Sequence, residues 1–99
     1  MKDRWDLEQA VAIIGTAIRA WDPYSLISEG APSDEFDGEV ARIAAMTDRF
    51  RTPEDIADTI SAVFLASFGQ EERFSPQDCV VPAVQIFQEL GRANLLPAA

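Results

Sequence analysis

Histidine is absent from this chain and cysteine occurs once, as Cys79. A single thiol forms no internal disulfide, and without imidazole the chain lacks both the commonest metal-binding nitrogen and the usual activator of a thiol or hydroxyl nucleophile. A glycine-rich phosphate loop and a nucleophile elbow are missing as well. Positive charge is scarce: 8 Lys and Arg stand against 17 Asp and Glu, a net charge of −9. Such a balance repels phosphate backbones and anionic membrane surfaces and attracts basic ones. Long apolar runs are lacking too. The longest candidate is interrupted by Gly15, Thr16 and Arg19, well short of the roughly 20 residues that a membrane span requires. The start Met-Lys-Asp-Arg-Trp-Asp does not have the pattern of a secretory leader, so the cytoplasm is the expected compartment.

What is present is an apolar fraction of 47% spread over 99 residues. That length is expected to form one domain, burying roughly 60–68% of the surface its unfolded chain exposes. From Asp6 to Trp21, the residues Leu7, Val11, Ile14, Ile18 and Trp21 recur at spacings of four and three, which places them on one face of a helix. Gly15 beside that stripe predicts a close helix crossing. Pro23 forces Asp22 out of the α region and ends the helix near Trp21. Ser33 can cap a second helix whose first turn holds Asp34 and Glu35, and Phe36, Val40, Ile43, Thr47 and Phe50 mark its inward face.

Thr52-Pro53-Glu54-Asp55 is a compact start signal: a capping hydroxyl, a proline at the first position and an acid three residues on. The third helix that follows turns Ile56, Ile60, Val63, Phe64 and Ser67 inward, and Gly69 can close it. Ser75-Pro76-Gln77-Asp78 repeats the signal, with Cys79, Ala83, Ile86, Phe87 and Leu90 as the fourth stripe. Pro82 interrupts that helix, and a kink there is favoured over a start after Val81. Asn94 is the expected terminator, followed by a tail that docks through Leu95 and Leu96 or frays. The expected fold is therefore all-α, a compact four-helix bundle in one domain spanning residues 1–99. Its helices fall near residues 6–21, 33–49, 53–68 and 76–93, with 94–99 as the tail. Its core is expected to comprise Leu7, Val11, Ile14, Ile18, Val40, Ile43, Ile60, Phe64, Ile86 and Leu90, with Trp21 continuing it and Cys79 a buried structural thiol.

The connection from Trp21 to Asp37 crowds aromatics, carboxylates, prolines and a glycine together, and long connections in small domains tend to be functional. Asp22, Glu29, Asp34, Glu35, Asp37 and Glu39 supply oxygen at a density that calcium or magnesium would want, yet Pro32 and Phe36 break the alternation of an EF-hand loop, so no metal is expected. Tyr24 beside Asp22-Pro23 has the composition of an interface anchor. Asp22, Tyr24, Glu29, Asp34, Glu35 and Asp37 are thus the candidate partner-binding residues. No catalytic or cofactor-binding residue is expected.

Ile18-Arg19-Ala20-Trp21-Asp22-Pro23, then Ser33-Asp34-Glu35-Phe36-Asp37, then Ile60-Ser61-Ala62-Val63-Phe64 with Phe68, and Cys79 ahead of an apolar helix resemble the small bacterial YugE-like family, a domain of unknown function, over roughly residues 11 to 90. The resemblance implies a compact helical bundle of bacterial origin with relatives similar to immunity proteins encoded near toxins, and no catalytic residues. Together with the charge, it points to a non-catalytic inhibitor of a basic protein, with a toxin as the implied partner. The alternatives are a structural or regulatory subunit of another complex and, behind it, a carboxylate- or metal-dependent enzyme.

Overall fold

Four amphipathic stripes can bury their faces only against one another. In the computed structural model, which describes residues 4–21, 36–68 and 75–97, they do so as helices α1 (Arg4–Trp21), α2 (Asp37–Ala44), α3 (Pro53–Phe68) and α4 (Val80–Arg92). No strand occurs among the described residues, and the fold is an all-α bundle. Each helix packs on the next in sequence and α4 closes back on α1. The side chains fix an up-down-up-down course. Trp21 at the end of α1 and Phe36 at the head of α2 meet the same ring, Phe64, near the end of α3. Phe50, just ahead of α3, shares a hollow with Phe87 and Leu96 at the far end of α4. The radius of gyration, 12.7 Å, is that of a compact chain of this length, for which about 13 Å is typical.

Chain chemistry sets each joint. At the head of α3, the Asp55 amide donates to Thr52 Oγ1 at 3.2 Å while the Thr52 and Arg51 amides donate to Asp55 Oδ2 at 3.1 and 2.9 Å, a reciprocal capping box with aspartate in the acid's place. The second helix departs from its expected continuous run to Arg49. α2 ends at Ala44 and the chain tightens into a 3₁₀ turn at Thr47–Arg49, where the Thr47 hydroxyl donates to the Ala44 carbonyl at 2.7 Å. Ala44, Thr47 and Phe50 are all buried. Their spacing of three is the period of a 3₁₀ helix, so the tightened turn buries the same side chains that a continued α-helix would have turned inward.

Neither alternative foreseen for Pro82 is what forms. A 3₁₀ turn at Pro76–Cys79, capped by Ser75, leads directly into α4 at Val80. Pro82 therefore lies in the first turn, where its missing N–H has no helical acceptor to lose. At the other end Asn94 takes φ 58°, the left-handed position that asparagine tolerates. The amides of Asn94 and Leu95 donate to the Gly91 and Leu90 carbonyls, and Leu95 is buried, as in a helix-closing motif sealed by an apolar contact. Over its described residues, up to Pro97, the tail docks through Leu95, with Leu96 half-buried beside it. The Ser33 cap and the Gly69 closure lie outside the described residues.

Most of the expected core is buried, with Phe36, Phe50, Ile56 and Leu95 added. Leu7 and Val11 are corrections: they are 40% and 37% exposed. Periodicity puts them on the inward stripe, but α2 is 8 residues long against 18 in α1, about 12 Å against 27 Å. Starting from the Trp21 end, α2 stops before it reaches them. Ser67 also faces outward. Gly15 is buried, but the atom a Cβ there would meet first is Arg19 Nη1 at 3.0 Å, not a neighbouring helix. Phe64, fully buried and touched by two other rings, should be the costliest single truncation. Phe64→Ala is expected to lose about 3–5 kcal/mol in urea melts, whereas Leu7→Ala should lose about 1 kcal/mol or less. Similar losses for the two would contradict this packing.

Candidate functional site

The acidic stretch is fixed at its two flanks. Trp21 packs edge-on to Phe64 with ring centroids 5.7 Å apart and planes at 85°. Phe36 meets the same ring at 5.7 Å and 63°, both edge-to-face geometries that aromatic quadrupoles favour. Phe36 is buried and Trp21 half-buried, which gives Trp21 the core role expected of it. Of the six candidate residues, the structure places Asp37, which is exposed at the first position of α2 with Glu39 two residues on. Negative charge there is favoured by the helix dipole. Asp22, Tyr24, Glu29, Asp34 and Glu35 lie outside the described residues.

A second feature was missed by the sequence reading. Val80, Val81 and Val84 are all exposed at the start of α4, Val81 by 75%. Helix geometry makes positions i and i+4 neighbours, so Val80 and Val84 form one outward ridge with Val81 beside them. The signal was available in the sequence. The inward stripe runs through Cys79, Ala83, Ile86 and Leu90, and these three valines fall off it. Asp78, exposed just ahead of them, has its amide and carboxylate engaged with the Ser75 hydroxyl at 3.4 and 2.9 Å. At the opposite end of the bundle a hollow of about 460 Å³ is walled by Phe50, Phe87, Leu96 and Pro97, with Arg51 at its edge.

Among the described residues no group of three His, Cys, Asp or Glu side chains could hold a metal ion. No helix of the described residues is long and apolar enough to cross a membrane. Cys79 is fully buried, and burial, reinforced by the nearby Asp78 carboxylate, pushes its thiol up to about 12 from 9.0. A thiol held in its neutral form is a poor nucleophile. Since its folded pKa lies above its unfolded one, the unfolded chain gives up this proton first, and the thiol's contribution to stability is lost as pH rises from about 9 to 12. The slope attributable to it reaches about 1.4 kcal/mol per pH unit. Urea melts of the parent and Cys79→Ala across that range should show the parent falling more steeply, and native Cys79 should resist a thiol reagent at pH 8 until urea unfolds the chain. Prompt labelling of the folded protein would refute this.

Neither a curated protein nor a solved structure matches the sequence. A family model does, over residues 13–89, a span that begins inside α1, takes in both flanks of the acidic stretch, and ends inside α4. The chain belongs to a family of small domains of unknown function, DUF1871.

Proposed function

We propose that the chain is a non-catalytic protein-binding module, an acidic inhibitor of immunity type that grips a basic partner protein. The observation that carries this reading is the valine ridge at the head of α4, with Val81 75% exposed. Single exposed apolar residues are ordinary, but three adjoining β-branched ones on a regular helix are the kind of patch that a partner desolvates. The net charge of −9 adds long-range attraction to a cationic surface, which speeds encounter. We assign the acidic contacts to Asp22, Glu29, Asp34, Glu35 and Asp37 and an aromatic anchor to Tyr24, on the grounds of composition and charge. The immunity role rests on what the resemblance to the YugE-like family implies, namely relatives similar to immunity proteins encoded near toxins.

The test is co-expression with each basic protein encoded beside this one or captured by it from its native host, followed by binding kinetics on the purified pair. Protection of the cells and a stable complex are expected. Val81→Asp should weaken binding by about tenfold or more, chiefly through faster dissociation, while Asp34→Lys or Asp37→Lys should slow association and flatten its salt dependence. A stable complex with a harmless partner would make the chain a subunit instead. Full protection and unchanged kinetics in the Val81 and aspartate variants would overturn the proposed surface.

A further inference from the structure

The furrow between α2 and α3 holds two opposite charges that do not meet. It is a hollow of about 320 Å³ lined by Arg42, Met46, Asp58, Thr59, Ala62 and Val63. Arg42 Nη1 instead donates to the neutral Ser67 hydroxyl at 3.0 Å, nine residues beyond Asp58, or about 13 Å along the helix. No ion pair joins Arg42 and Asp58 among the described residues. The guanidinium is therefore drawn towards one end of the furrow and the carboxylate stands at the other. Between them the outer side of α3 carries no charge: from Thr59 to Phe68 there is no Asp, Glu, Lys or Arg, although Ala62 and Ala66 are exposed. In a chain of net charge −9, a water-facing helix side without charge is out of pattern.

We infer that this furrow seats an amphipathic helix of a partner protein, one whose apolar stripe is bounded by a basic residue at the Asp58 end and an acidic residue at the Arg42 end. The inference rests on the protein-binding reading above and adds a second contact to it. A helix fits because the furrow lies between two antiparallel helices, and Thr59, Ala62 and Val63 recur at the three-four spacing into which a third helix sets its own ridge. Small Ala62 lets that backbone approach closely. The separation of the charges calls for a basic and an acidic side chain seven or eight residues apart on the incoming helix, which keeps both beside its apolar stripe at about 10–12 Å. Met46 and Val63, both half-buried, would be covered on docking.

The probes are three synthetic helical peptides sharing one leucine stripe and differing in the two boundary positions: lysine with glutamate, two lysines, or two glutamates. Fluorescence anisotropy at physiological salt measures their affinity for the whole chain. The lysine–glutamate peptide is expected to bind tightest, by about fivefold over each of the others, the scale of one exposed ion pair. Asp58→Lys, an exposed change, should transfer the preference to the two-glutamate peptide. Tightest binding of the two-lysine peptide would show only the pull of the net charge and overturn the inference. So would affinities that follow Val81→Asp and ignore Asp58→Lys, or no binding by any peptide. If the peptides fail while Val81→Asp still weakens the natural partner, the furrow is wrong and the binding module stands. Failure of both would remove both.

Discussion

The ring of Phe64 is the constraint on which the arrangement depends. It is fully buried near the end of α3, and the last residue of α1 and the first described residue ahead of α2 both set their rings edge-on against it. Three helices are thereby registered at one point, and the lengths of α1, α2 and α3 then determine what lies opposite what. The contact is also directional. Edge-to-face rings resist sliding in a way that aliphatic packing does not, since the quadrupoles prefer offset and tilted geometries. Trp21 and Phe36, the described residues on either side of the acidic stretch, both rest on this ring.

That registration explains which parts of the fold were legible in the sequence. Thr52 with Asp55, Ser75 with Asp78, and Asn94 were legible because each feature is local: a hydroxyl, a carboxylate or a tolerated left-handed residue acts on a backbone a few positions away. The burial of Leu7 and Val11 was not, because their periodicity specifies a face and leaves open whether a neighbour is long enough to cover it. The 3₁₀ turn at Thr47–Arg49 was hidden for a related reason. Ala44, Thr47 and Phe50 satisfy inward spacing under either helical period, and the hydroxyl of Thr47 favours the tighter one by capturing the Ala44 carbonyl. Pro82 misled by a shift of register: it breaks a helix begun at Pro76 and is at home in one begun at Val80.

The candidate surface was legible only in part. Charge and aromatic crowding single out the stretch from Trp21 to Asp37, and Asp37 is indeed exposed at a helix start. The valine ridge escaped notice because apolar residues on a helix are ordinarily assigned to its core. The useful sign was the count: α4 carries more branched apolar residues in its first two turns than one inward stripe can accommodate. Cys79, Ala83 and Ile86 already fill that stripe, and Val80, Val81 and Val84 are left over.

Polar chemistry is divided accordingly. Every described buried side-chain nitrogen or oxygen has a hydrogen-bond partner: the hydroxyl of Thr47 closes a helix end, while at the surface Asp55 and Ser75 open others. These groups are committed to holding backbone ends, where losing one cap costs about 0.5–2 kcal/mol. Charge and apolar area beyond those commitments stand outside the core, on the ridge of α4, along the furrow of α2 and α3 and at the head of α2. An apolar patch next to uncompensated charge gains most from a partner that covers the first and pairs the second, because desolvation strengthens the charge contact it accompanies. Substitution around Phe64 is therefore constrained by ring geometry, while the exposed positions of α3 and α4 carry no such constraint from the core.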